Sequence, residues 1–448
     1  MNNRLINHIT TLFLLISCSA AVQVSGQVNA TVSDSRRTSD SIGLSNIIKV
    51  VLQQHPSIQE AEEAIKAADV RISLAKTAYH PEVDANASYT RIGPVPSFDF
   101  PGFGKITMAP ANNFLTSVNY HQNIYDFGKT ASEVAVENEN KELARLTVDQ
   151  IKQRLALTVV NAFYTLAYVQ EAIIIKDKQI NTLHAHLDFV NKKKETGSAT
   201  QYEVLTTKVK ISSSENQKLD LEAAITIQQG VLNILMGQPD NTSIYAKPEL
   251  TSSLLPIQTD SLLSYAYNHR DEVKIANEKN NIAELRYKAI KKQLNPAFNA
   301  FASVGGKNGY IHDINKFTPN FAAGIGFKVP IFDAYRSRNN LLLAKSAITS
   351  NTLEIEVTKR SIINDVVENE ANRIAALKKI EQYELQLAQA QEALGLAETS
   401  YQSGVITNLD LIDATLSVSE SRLLLLKSKI DYSVSLYRLK MALGDRLY

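Results

Sequence analysis

Four places in the 448-residue chain carry residue types that could do chemistry. Gly128-Lys129-Thr130 resembles the end of a phosphate loop, where backbone N–H groups cradle a phosphate and the lysine reaches its oxygens. That loop needs a glycine five positions earlier, and position 123 is Asn. His184 and His186 could ligate a metal, but two residues apart on a helix they face different sides, with no third ligand nearby, and both read as solvated. Cys18 is the only cysteine, which rules out a disulfide framework, a thiolate metal site and an iron–sulfur cluster. Asp410 and Asp413 stand one turn apart, where acids at a helix start complement its dipole. Neither a nucleophile elbow nor a His-Glu-x-x-His zinc motif occurs. The chain is therefore read as no enzyme and as binding no cofactor.

The elements that hold these residues are unusual. Prolines are absent from 111–238 and 331–448, runs of 128 and 118 residues. Long helices tolerate such runs because an interior proline costs about 3 kcal/mol. Lys plus Arg (47) against Asp plus Glu (46) leaves a formal charge of +1, so no overall field recruits nucleic acid. Residues 1–26 read as a leader. Arg4 is the positive start, Ile9–Ile16 the apolar stretch and Val24-Ser25-Gly26 the cleavage site. A second reading stays open: Leu15-Ile16-Ser17-Cys18 resembles a lipoprotein box, with 1–17 removed and Cys18 lipidated. Either one sends the mature chain out of the cytoplasm.

The chain repeats itself 207 residues on. Tyr125-Asp126-Phe127-Gly128-Lys129 aligns with Phe332-Asp333-Ala334-Tyr335-Arg336, and Gly197 through Leu205 with Gly404 through Ile412. The two units are 57–237 and 263–448, after an N-terminal segment 27–56 and joined by 238–262. Each unit opens with a helix (57–79, 271–294) stopped by Pro81 or Pro296. Period-two alternation then predicts strands at 83–92, 114–124, 297–305 and 320–329, with loops rich in glycine and proline, Ile92–Asn113 and Gly305–Pro319, between the paired strands. Long helices follow at 128–195 and 335–402, each roughly 100 Å at 1.5 Å per residue. Leu155, Val159, Ala162 and Leu166 begin a stripe of alternating fours and threes, with Lys176 its polar occupant. In the second unit the same phase survives, with Asn369 and Arg373 as exceptions. A 3.5-residue period means antiparallel coiled-coil packing. Turns at Gly197 and Gly404 lead to returning helices at 201–237 and 408–444.

Strands of this length cross a bilayer when tilted. Four strands cannot close a barrel, and open edges cannot face lipid, so strands must come from several chains. Two chains would give a filled eight-stranded barrel, whereas a duct needs at least three chains.

This order of elements, done twice, resembles the TolC-type outer-membrane efflux channel family across nearly all of the mature chain. The most specific segment is Tyr401-Gln-Ser-Gly404 through Asp410, Asp413 and Thr415. The resemblance implies a mixed α and β membrane protein, in which a homotrimer forms a twelve-stranded outer-membrane β-barrel above a periplasmic α-barrel. An equatorial belt would come from the N-terminus, 238–262 with Pro239, Pro248 and Pro256, and the C-terminus. The implied function is a passive efflux duct in the outer membrane, served by a periplasmic adaptor and an inner-membrane pump. Asp410 and Asp413 match acids that narrow the periplasmic end, Glu203 is the first-unit counterpart of Asp410, and Tyr401 matches a tyrosine that locks the closed tip. Ile406 stands where the family's best-known lock has an arginine. Gly197 and Gly404 would meet the adaptor, and Phe98, Phe100 and Phe103 would cap the outer opening or join an aromatic girdle. The rival readings are the outer-membrane component of type I protein secretion, a periplasmic adaptor with a single hairpin, and a soluble coiled-coil scaffold.

Overall fold

The computed structural model describes residues 41–102, 104–239, 242–248, 259–311 and 313–448. The leader, Cys18, Phe103 and Pro256 lie outside them.

The chain opens with β1 (Ser41–Ile42), α1 (Leu44–Gln54) and α2 (Pro56–Lys76). Pro56 is the first residue of α2, where its missing N–H is no loss, and the His55 ring accepts the Ser57 N–H at 3.2 Å. Residues 77–79, expected to continue the helix, form a 3-10 turn ahead of Pro81. Strand β2 (Glu82–Arg91) is followed by a small hairpin, β3 (Ser97–Phe100) with β4 (Gly104–Thr107), and then β5 (Asn112–Tyr125). The hairpin was expected as an irregular loop; Phe100-Pro101-Gly102 is its turn, and the Phe98 and Phe100 rings lie 6.1 Å apart on it. Next come α3 (Lys129–Glu195), α4 (Gln201–Met236), β6 (Tyr245–Ala246) and α5 (Thr259–His269). The second pass gives α6 (Asp271–Lys292), β7 (Ala297–Lys307), β8 (Thr318–Lys328), α7 (Arg336–Gln402) and α8 (Asn408–Leu443).

Four strands form one antiparallel sheet in the order β2-β5-β7-β8. Two adjacent rows across it show what the alternation does. Ala85, Val118, Val304 and Phe321 stand side by side, and the last three are 52%, 64% and 84% exposed. The next row, on the opposite face, is Asp84, Asn119, Ser303 and Ala322. There Asn119 donates to Asp84 at 2.9 Å, and Ser303 donates to the Asn119 carbonyl at 2.9 Å. A soluble sheet buries its apolar face; this one exposes it and knits the polar face together. Strands β2 and β8 each keep one edge without a partner among the described residues.

Each strand pair runs into a helix through a carboxylate. Asp126 accepts the N–H groups of Gly128, Lys129 and Thr130 at 2.8–3.1 Å and the Thr130 hydroxyl. Burial alone would raise its carboxyl, but the Thr130 hydroxyl and N–H hold it below its ordinary value. The donors a phosphate would need are thus already taken. Asp333 repeats the motif with the Ser337 N–H and hydroxyl, which hold its carboxyl low as well. Two consecutive left-handed residues make each corner, Phe127 (φ 53°) and Gly128 (φ 81°), then Ala334 (φ 52°) and Tyr335 (φ 63°).

Helices α3 and α7 are unbroken for 67 residues, or about 100 Å. The first half of α3 packs antiparallel to α2, with Lys141–Asp69 at 2.6 Å and Lys152–Glu62 at 3.7 Å. Its second half packs on α4, with Lys218–Asp177 at 2.7 Å, and on α8. Helix α7 packs on α6 and then on α8. The polar occupants of the stripes are satisfied. Lys176 donates to Gln179 at 2.9 Å, Arg373 pairs with Glu370 at 2.8 Å, and Asn369 donates to the Asp365 carbonyl. Gln179 bridges to Ser214 and its repeat equivalent Gln386 to Ser421, at 3.1 and 3.3 Å. At mid-length, Ile47, Ile48 and Val51 of α1 and Ile244 of the connection seal against Phe163, Leu232 and Met236. Arg446 ties the C-terminus to Asp271 at 2.6 Å.

The tightest backbone approach in the sheet is at Gly305, where a Cβ would lie 1.9 Å from the Thr116 carbonyl oxygen. We expect Gly305→Ala to break the β5–β7 seam and abolish the protease-resistant folded species in limited proteolysis. Gly395→Ala, in an open helix position, should leave that species intact and add about 0.5–1 kcal/mol of helix stability. Equal behaviour of the two variants would contradict this register.

Candidate functional site

The far ends of both helical hairpins are built alike. Each long helix ends at a left-handed glycine, Gly197 (φ 78°) or Gly404 (φ 74°). The following N–H groups, on Ser198 and Val405, return to the carbonyls of Lys193 and Ser400 at 2.8 and 2.9 Å. A reciprocal cap then restarts the chain as helix. Thr200 accepts the Glu203 N–H while Glu203 accepts the Thr200 N–H, both at 3.2 Å. Thr407 and Asp410 do the same at 3.3 and 2.9 Å. Each such cap is worth about 1 kcal/mol.

Between the hairpins lies a seam of two layers. The upper is apolar: Leu183 from α3, Ile211 from α4 and Ile412 from α8, flanked by Leu187 and Leu416. The lower is polar and joins all four helices. Tyr401, buried at the end of α7, donates its hydroxyl to Glu203 on α4 at 3.2 Å. Lys193 lies 4.4 Å over the Tyr401 ring, and the His186 ring meets it edge-on at 5.5 Å. Asn408, the first residue of α8 and itself buried, accepts from His186 at 2.6 Å and donates to Thr207 at 3.2 Å. Burial and the neighbouring Glu203 charge push the Tyr401 hydroxyl up to about 12, so it remains a donor at physiological pH.

The structure thus brings Glu203 and Tyr401 together and leaves the other two acids outward. Asp410 is exposed and sits at the third position of α8, where the Thr407 hydroxyl and N–H hold its carboxyl low. Asp413 is exposed and pairs with Lys210 of α4 at 3.5 Å. One sequence expectation is corrected. His184 does lie exposed, 3.8 Å from Glu215, but His186 is half-buried against Asn408 instead of solvated. Lys193, Thr207 and Asn408 carry no signal of this role in the sequence, and His186 is weighed there only as a metal ligand. The available signal is that His186 borders the apolar positions Leu183, Leu187 and Val190 about three turns before the tip.

A family model described as "Outer membrane efflux protein" matches residues 47–238 and again 262–445, the two units in turn. "Outer membrane protein TolC" of Salmonella enteritidis is 19% identical over 418 residues, covering 89% of this chain and 82% of that protein. "Putative multidrug resistance outer membrane protein MdtQ" of Shigella flexneri is 23% identical, with 90% and 85% covered. Among solved structures, the outer membrane protein VceC of Vibrio cholerae superposes with a TM-score of 0.73 at 20% identity, covering 90% of this chain and 97% of that one. CusC superposes at 0.75 with 19% identity, covering 91% and 93%.

Removing the Tyr401 hydroxyl tests the polar layer. A hydrogen bond to a carboxylate is worth about 1.5–3 kcal/mol, so Tyr401→Phe should loosen the tip and raise single-channel conductance severalfold. The raised Tyr401 value places the link's full strength below the ordinary tyrosine value and its loss as pH climbs through about 12. Wild-type conductance should therefore rise at strongly alkaline pH, whereas Tyr401→Phe should show no such step. An alkaline step that survives in Tyr401→Phe would assign it to another group.

Proposed function

The chain belongs to the outer membrane efflux protein family, and from that premise we propose that it is the outer-membrane channel of a tripartite efflux system. The observation that carries this is the sheet, with its apolar face exposed, its polar face hydrogen-bonded and both edges open. Three copies join β2 edges to β8 edges into a twelve-stranded barrel, apolar toward lipid and polar toward the lumen. The 67-residue helices extend that lumen about 100 Å into the periplasm. The relative whose name carries multidrug resistance, MdtQ, supports drugs as the cargo. The duct is passive: an inner-membrane pump supplies the energy and a periplasmic adaptor meets the turns at Gly197 and Gly404. No catalytic step belongs to this function. Two hairpins per chain disfavour an adaptor, and an exposed apolar sheet face disfavours a soluble scaffold.

At the tip, three copies of Asp410 and Asp413 converge on the axis and narrow it. Like charges held together repel, so a bound cation relieves the ring. Lys210 offsets part of the Asp413 charge.

A mass of three chains in detergent and cation-selective channels in planar bilayers are expected; a monomer without conductance overturns the reading. Replacing both acids with alanine should raise conductance and weaken block by divalent and trivalent cations about tenfold, the scale of 1–2 kcal/mol per site. Glu203→Ala should relieve block less, because Thr206 occupies the position equivalent to Asp413. Unchanged block in the double variant would place the constriction elsewhere.

A further inference from the structure

The two hairpin tips are one structure used twice, yet each covers a different share of its surface within the chain. Helix α8 lies against α3, which fully buries Ile412 and half-buries Leu416. The residues 207 positions earlier, Leu205 and Val209 of α4, are 51% and 66% exposed. On α3, Val190 is buried; its counterpart on α7, Ala397, is only half-buried. The uncovered faces are those of α4 and α7, in the same units whose strands β2 and β8 carry the open sheet edges. A duplicated chain supplies its own template for closing them: α4 of a second copy takes, against α7, the place that α8 takes against α3.

The template also specifies a polar contact. Within the chain, Glu203 spends Oε1 on its own cap and accepts the Tyr401 hydroxyl on Oε2. Asp410 spends Oδ2 on its cap, taking both the Thr407 N–H and hydroxyl there, which leaves Oδ1 for a donor from outside. Advancing the Tyr401–Glu203 pair by one unit replaces Glu203 with Asp410. It replaces Tyr401 with the residue 207 positions before it, Lys194, on the next copy. Lys194 is exposed and carries the charge complementary to Asp410. We propose that the seam between neighbouring copies is held at the tip by an ion pair from Lys194 of one copy to Asp410 of the next, below an apolar contact made by Leu205 and Val209. This rests on the trimeric channel reading. It supplies a cation to a seam where Ile406 offers none, from the end of α3 instead of the turn after α7. A lysine suits the place that a tyrosine holds inside the chain. Asp410 is exposed where Glu203 is half-buried, and a hydrated ammonium loses less there than a phenol gains by burial.

The test is a cysteine pair, Lys194→Cys with Asp410→Cys, oxidised in native membranes and run on non-reducing gels, with the detergent mass measured in parallel. Linked dimers and trimers are expected, and none from Lys192→Cys with Asp410→Cys, because Lys192 faces another side of α3. A three-chain mass without linkage, or equal linkage in the control, overturns the ion pair and leaves the channel reading standing; a one-chain mass overturns the channel reading itself. Charge reversal gives a second readout. Lys194→Glu should raise the open fraction about two- to fivefold, the worth of an exposed ion pair, and Lys194→Glu with Asp410→Lys should bring it back. A double variant no closer to wild type than the single one rejects the pairing.

Discussion

An unpaired backbone N–H or C=O in hydrocarbon costs several kcal/mol, and a whole strand edge multiplies that cost. The sheet of this chain has two such edges among the described residues, on β2 and β8, beside a face whose apolar rows are exposed. Everything else follows from satisfying them. Closure with twelve strands from three copies fixes a threefold axis, and a threefold axis makes every residue near it act in triplicate. Under the proposed reading of the tip, a modest charge such as Asp410 has a leverage there that it would lack on a monomer's surface.

The constraint reaches the tip through continuous helix. Asp126 and Asp333 convert strand into helix by taking the first free N–H groups themselves, so α3 and α7 begin at a fixed angle without help from a neighbour. The long helices are then packed unequally. Helix α3 has α2 and then α4 along one flank, with α6 and then α8 along the other, and its stripe of Val159, Phe163, Leu166 and Val169 is buried. Helix α7 lacks one flank and buries much less of its length. A duplicated sequence thus folds into two chemically different walls, one inside the chain and one waiting for its neighbour.

The seam at the tip mixes two kinds of contact, which is what the proposed gate requires. Leu183, Ile211 and Ile412 favour closure without regard to direction. Asn408, Thr207, His186 and Tyr401 specify one register, and water can satisfy them when the hairpins part. Such a polar layer costs little to open and much to misalign, whereas an all-apolar seam would slip and hold fast.

The duplication, the strand and helix spans within a few residues, the glycine turns and the inverted logic of the sheet were all legible in the chain itself. They rest on local periodicity and on residues such as Pro81, Pro296, Gly197 and Gly404, whose backbone preferences do not wait for neighbours. The 3-10 turn at 77–79 and the β3–β4 hairpin were missed because three- and four-residue elements carry too few periods to stand out. The site was legible only in part. Glu203 and Tyr401 are 198 positions apart, and that one bonds the other depends on α7 ending beside the start of α4. The burial of His186 by Asn408 likewise needs two helices 222 positions apart to meet. Sequence determined what each segment is; only the tertiary packing decided which polar groups lose their water, because that loss is a property of neighbours and not of the residue.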